Sequence, residues 1–185
     1  MGNQYAQPTA LMVRHKVYHT VCRRYQDWYG QDHMQGGACL YWSMTGVSVL
    51  LSLGYRALLQ AGSMSWSILP PHLDDGQQPT HFSYEWSPWR PESQAALKRG
   101  LLPEIHIWIG LPDLNELVDF STKWLPERAA KEGLVWRTER PPTFLWCSPS
   151  EMPEGVLYTP DINAIRFVLN FVRAHHQSPI NKGAL

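Results

Sequence analysis

Charge is scarce and balanced in this chain. Charged residues make up 17% of 185, and 16 Lys plus Arg offset 16 Asp plus Glu. No surplus of one sign exists to attract a polyanion or an anionic membrane surface, and basic residues cluster only as the pairs Arg23–Arg24 and Lys98–Arg99. Nucleic acid and membrane are therefore not expected partners. Cysteine is scarce too. Cys22, Cys39 and Cys147 form an odd, irregular set without CxxC, which is not a disulfide framework, although a Cys22–Cys147 pair stays open. The count suits a reducing compartment. The start, Met1-Gly2-Asn3-Gln4-Tyr5, lacks the apolar stretch of a signal peptide, so a cytoplasmic location is expected.

Several motifs are missing. Without GxxxxGK[ST] or GxGxxG there is no case for nucleotide or dinucleotide chemistry, and without GxSxG little for an α/β-hydrolase. His15 and His19 share a helix face by spacing, but no HExxH accompanies them. Neither metal nor cofactor is expected.

What is present is apolar and aromatic: 44% hydrophobic residues, with nine Trp and eight Tyr. That is ample for one core, and a single domain spanning 1–185 is expected. Residues 36–55 carry no charge and are long enough to consider as a membrane span. Ser43, Thr45, Gly46, Ser48 and Ser52 within that run favour a buried helix instead.

Val13, Val17 and Val21 recur at helical spacing, which predicts a first helix from Pro8 to Trp28. A second is predicted from Ala38 to Leu53, with Leu40, Met44, Val47 and Leu51 on one face and Gly54 as its stop. Short apolar-aromatic runs at 55–61, 64–69 and 81–86 read as strands, and a short helix fits 93–99. Ile105–Leu111 and Glu116–Phe120 read as a hairpin around Pro112-Asp113-Leu114-Asn115. A helix over 122–131, a strand over 144–147 and a closing helix from Pro160 to His176, capped by Thr159 with Ile162, Ile165, Leu169 and Val172 on one face, complete the reading. Helices, then mostly antiparallel strands, then a helix make an α+β layout.

The chemistry concentrates on three residues. Cys39 follows Gly36-Gly37-Ala38 and starts a predicted helix. A helix N-terminus favours a thiolate, and its free N–H groups suit an oxyanion. His106 lies in the apolar run Ile105–Ile109, and Asp119 in Leu117–Phe120. A carboxylate among apolar neighbours needs a specific partner. The predicted hairpin brings the two side chains within reach of one another.

Gly37-Ala38-Cys39, a long apolar helix and then Leu53-Gly54-Tyr55-Arg56-Ala57 resemble the nucleophile helix of transglutaminase-like, papain-related cysteine enzymes. His106-Ile107-Trp108 resembles their H-x-W strand, and Leu117 to Thr122 their D-P-T strand, with Phe120 in place of proline. The matching stretch runs from about Gly36 to Thr122, inside a domain core expected at about 28–122 with flanking helices. The resemblance implies a papain/transglutaminase-like fold, a buried nucleophile helix on an antiparallel sheet. It also implies a Cys39–His106–Asp119 triad acting through an acyl-thioester. Where papain-like enzymes carry an oxyanion glutamine this chain has His33. Gln31, Gln35, Trp28 and Tyr29 are the nearby alternatives.

The expected function is a cysteine-dependent hydrolase or acyl transferase: protease, amidase, deamidase or transglutaminase. The expected partner is a protein or peptide substrate, with Trp66, Tyr84, Trp86 and Trp108 as cleft-lining candidates. The alternative is an inactive binding module of the same fold that holds a peptide or protein. A third reading has Cys39 simply buried in a structural protein.

Overall fold

Thr9 opens the first helix, its side chain accepting from the Met12 amide at 3.4 Å. α1 (Ala10–Tyr29) buries Val17, Tyr18, Val21 and Tyr25 on one side. The structure, a computed structural model, describes residues 9–30, 39–74, 76, 78–99, 101 and 104–175. Pro8, expected as the first turn of α1, lies outside them. Arg14 docks this helix on the sheet. Its guanidinium bonds the Trp146 carbonyl at 3.0 Å and Glu116 at 2.6 Å, while Trp146 Nε1 donates to the other Glu116 oxygen at 2.6 Å.

α2 (Cys39–Ser52) ends at Gly54, which takes φ 85°. Its buried residues are Leu40, Trp42, Ser43, Thr45, Gly46, Val49 and Leu50. The face differs from the expected one, and Leu51 is exposed. Gly46 explains the shift. A Cβ there would lie 2.5 Å from Ile109 Cδ1 and 2.6 Å from Phe120 Cε2, so the helix descends onto the sheet through its own backbone. Ser43 Oγ secures that contact by donating to the Ile107 carbonyl at 3.0 Å.

The sheet is antiparallel and six-stranded. Its central member, β1 (Leu58–Ser67), replaces the two expected strands at 55–61 and 64–69. Gly62 does not divide it. β1 pairs with β2 (His81–Tyr84), β3 (His106–Leu111) and β6 (Val156–Pro160). Gly62 faces His106 on one edge and Pro160 on the other. α3 (Pro91–Lys98) precedes β3, and the hairpin from β3 to β4 (Glu116–Asp119) forms as expected, with Ile109 opposite Val118. A 3-10 turn at Thr122–Trp124 leads into α4 (Leu125–Lys131), and β5 (Leu145–Cys147) pairs with β4.

The end of the chain corrects the sequence reading most. Thr159 and Pro160 belong to β6, not to a helix start. α5 (Ile162–His175) is capped instead by Asp161, whose Oδ1 accepts from the Asn163 and Ala164 amides at 2.7 and 2.9 Å. Its buried residues are Ala164 and Val168, while Ile162 and Leu169 are exposed. Helices α1 and α2 cover the face bearing Ile109 and Val118. Met64, Trp66, Phe82 and Tyr84 form a second core on the other face with Leu125 and Ala129 of α4. All three cysteines are free thiols, so Cys22 and Cys147 do not pair. No helix among the described residues is long and apolar enough to cross a membrane.

Candidate active site

The hairpin register sets the first relationship. With Ile109 opposite Val118, His106 and Asp119 lie diagonally on one face, two positions from direct opposition. Both are buried, and His106 Nε2 meets Asp119 Oδ2 at 2.6 Å. The carboxylate has three further donors. Tyr158 of β6 donates its hydroxyl to Oδ2 at 2.8 Å, and the Ser121 amide and hydroxyl each reach Oδ1 at 2.7 Å. A buried carboxylate held by this many donors stays ionised.

Aromatic rings enclose the imidazole. Tyr84 stacks on it at a centroid distance of 5.1 Å, and Trp108 and Tyr158 lie at 6.1 and 5.7 Å. Burial alone would lower the His106 pKa and raise that of Asp119. The mutual attraction and hydrogen bond override burial in both. His106 is raised to about 10, with a further contribution from the neighbouring Cys39 thiol. Asp119 is lowered, helped by Ser121. The imidazolium is thus the favoured form. Its Nδ1 is buried and makes no hydrogen bond of sound geometry.

Cys39, the first residue of α2, approaches from the end of the sheet. Its thiol lies 3.9 Å from the Ile105 carbonyl, on the residue just before β3. Cys39 and His106 line one small cavity with Tyr84, Ser121, Trp124, Leu125 and Arg128. The cavity measures about 10 Å3, roughly the room one water requires. A nucleophile, a base beside it and a carboxylate that orients the base are what covalent acyl transfer uses.

Of the expected cleft residues, only Tyr84 lines this cavity. Trp108 is buried against His106 and Tyr158. Trp86 stacks on Phe167 of α5 at 6.1 Å. Trp66 packs near Trp136 and borders a separate cavity of about 930 Å3, whose other walls include Pro70, Pro71, His81, Arg140 and Glu154. Trp28 sits exposed in the last turns of α1 with Arg24 over its ring, outside the residues lining the Cys39 cavity. Gln31, Gln35 and His33 lie outside the described residues, as do Gly36 to Ala38. Among the described residues no cluster of three or more metal-ligating side chains occurs.

Three site residues escaped the sequence reading. Ser121 had a local signal: a serine two residues after an aspartate commonly closes an Asx turn. Trp124 had none beyond its place after Asp119. Tyr158 lay in a stretch given no reading, just before Thr159, which was expected to cap the closing helix.

No family model matches the chain, and no curated protein matches it. Among solved structures, a crystal structure described only as a genomics target is similar at 13% identity and a TM-score of 0.53, covering 88% of this chain and 72% of that one. At that identity the likeness is one of α+β fold.

Proposed function

We propose that this chain is a thiol-dependent acyl-transfer enzyme of the papain- and transglutaminase-like kind, acting on an amide, ester or thioester of a protein or peptide. Cys39 is the nucleophile, His106 the acid and base, and Asp119 the group that orients His106. The observation that carries this reading is the division of the imidazole. Asp119 occupies Nε2 and favours the charged ring, while Nδ1 is buried without a hydrogen bond and His106 lines a cavity with Cys39.

Chemically, His106 holds the proton as imidazolium and the Cys39 thiolate attacks the carbonyl carbon. The tetrahedral adduct collapses as His106 returns the proton to the leaving group. Water or an amine then attacks the acyl-thioester, with His106 taking its proton. Asp119 stays ionised throughout and holds the tautomer.

The test is iodoacetamide alkylation of Cys39 across pH, in the native chain and in His106→Ala, with Cys22 and Cys147 as internal controls. Preferential alkylation of Cys39 that slows in His106→Ala supports the reading. A Cys39 that reacts only after unfolding sinks it.

A second reading has one observation in its favour. The Cys39 cavity admits little more than a water, whereas the cavity beside Trp66 has the size of a ligand site. In that reading the chain is a binding module, and a peptide would bind beside Trp66. Binding abolished by Trp66→Ala and indifferent to Cys39→Ala would favour it.

A further inference from the structure

Among the residues lining the Cys39 cavity, Trp124 carries a buried, unpaired polar group that the acyl-transfer scheme has not used. Trp124 ends the 3-10 turn that follows Ser121, and it lines the cavity together with Cys39, His106 and Ser121. Its indole Nε1 is buried and has no hydrogen-bond partner among the described residues. An indole N–H can only donate, and buried donors are nearly always paired, so an unpaired one points to a partner that arrives.

The ring is also fixed in place. The Lys123 ammonium lies 4.6 Å from its centre. That ammonium is anchored by Tyr18 Oη at 2.9 Å and lies 5.5 Å from the centre of the Trp42 ring of α2. Ser121, three residues earlier, ties the same segment to Asp119. A donor held this way needs no reorganisation when charge develops beside it. Trp86 Nε1 is buried and unpaired too, but Trp86 stacks on Phe167 and is not among the residues lining the Cys39 cavity.

We infer that Trp124 is the side-chain donor that holds the substrate's carbonyl oxygen as it becomes an oxyanion. The inference rests on Cys39 being the nucleophile. When the thiolate attacks, the S–C bond forms and the carbonyl π pair moves onto oxygen. The indole N–H donates to that oxygen until the pair returns and the leaving group departs. Trp124 thereby fills the role for which the sequence offered Gln31, Gln35 and Trp28.

Two reagents separate the donor role from packing. Acylation of Cys39 by p-nitrophenyl acetate passes through an oxyanion and releases p-nitrophenolate. Alkylation by iodoacetamide displaces iodide and forms no oxyanion. Trp124→Phe is expected to slow acylation by roughly 100-fold while leaving the alkylation rate of Cys39 unchanged. Trp124→Gln, which keeps a side-chain N–H, is expected to recover part of the acylation rate. Acylation at the native rate in Trp124→Phe, or an equal fall in both reactions in Trp124→Phe and Trp124→Gln, overturns the assignment while leaving Cys39 as nucleophile. A native Cys39 inert to both reagents overturns the nucleophile reading and this inference with it.

Discussion

Tyr158 and His106 meet the same carboxylate oxygen, Asp119 Oδ2, at 2.8 and 2.6 Å, although they come from strands on opposite sides of β1. β6 thus does more than extend the sheet. It delivers a phenol that holds Asp119 while Asp119 holds the imidazole. Burial and the adjacent Asp119 charge keep the Tyr158 proton on the phenol, so the hydroxyl remains a donor.

Tyr158→Phe retains the ring that packs edge-on to Trp108 at 5.2 Å and removes only this donor. A hydrogen bond to a charged group contributes about 1.5–3 kcal/mol, and the variant is expected to lose that amount in urea denaturation. Cys39 alkylation should slow as well, because Asp119 is then less firmly held. An unchanged denaturation midpoint would show that the phenol is a bystander.

Asp119→Asn removes the charge and keeps the shape. In its absence burial is left to dominate His106, and burial lowers the pKa. The imidazole is expected to titrate below its ordinary 6.5 in the variant, against about 10 in the native chain. NMR of the His106 ring across pH reads this directly. Breaking a buried pair from one side should also cost about 3–5 kcal/mol of stability. A ring that still titrates near the native value would locate the stabilising charge elsewhere.

The pair also predicts a pH window for stability. The His106 pKa is raised on folding from 6.5 to about 10, so its contribution is complete below pH 6.5 and lost as pH rises through about 10. The Asp119 pKa is lowered from 3.8, so its contribution is complete above that value and lost as pH falls through the folded-state pKa. The advantage of the native chain over a His106→Gln, Asp119→Asn double variant should therefore peak between pH 3.8 and 6.5. Urea midpoints for both chains at about pH 3, 5 and 9 test it, and a constant difference would refute the linkage.

How far these features were legible in the sequence depends on what each residue encodes locally. The β3–β4 hairpin was readable because its apolar runs flank a turn of Pro112 to Asn115, and the His106–Asp119 pairing follows from that geometry. Cys39 at a helix start was readable from the glycines before it and the apolar periodicity after it. Tyr158 was not. Thr159-Pro160 carries the local signature of a helix start, and only pairing with β1 turns it into strand, with Asp161 as the true cap. The aromatic candidates divided for a similar reason. Trp66, Trp86 and Trp108 are equally apolar in sequence, and the neighbours that distinguish them, Trp136, Phe167 and His106, are brought in by long-range packing.

Gly62 is where a local reading and a long-range contact collide most clearly, and it supplies a final test. As a glycine between two apolar runs it reads as a break, yet it lies inside β1 with a strand on each edge. A Cβ at this position would run into the Thr159 carbonyl, with Asp161 N at 3.0 Å and Pro160 Cα at 3.1 Å. These are backbone atoms, so no rotamer change relieves the clash and β6 must move away. Gly62→Ala is therefore expected to destabilise the chain by roughly 1–3 kcal/mol, the usual cost of overpacking. It should also weaken the Tyr158 contact with Asp119, and Cys39 alkylation should fall along with stability. Gly46→Ala meets the side-chain ends of Ile109 and Phe120 instead, which can shift, and it should cost less. If Gly62→Ala proved the milder of the two, the close approach of β6 to β1 would be wrong, and with it the route by which Tyr158 reaches the site.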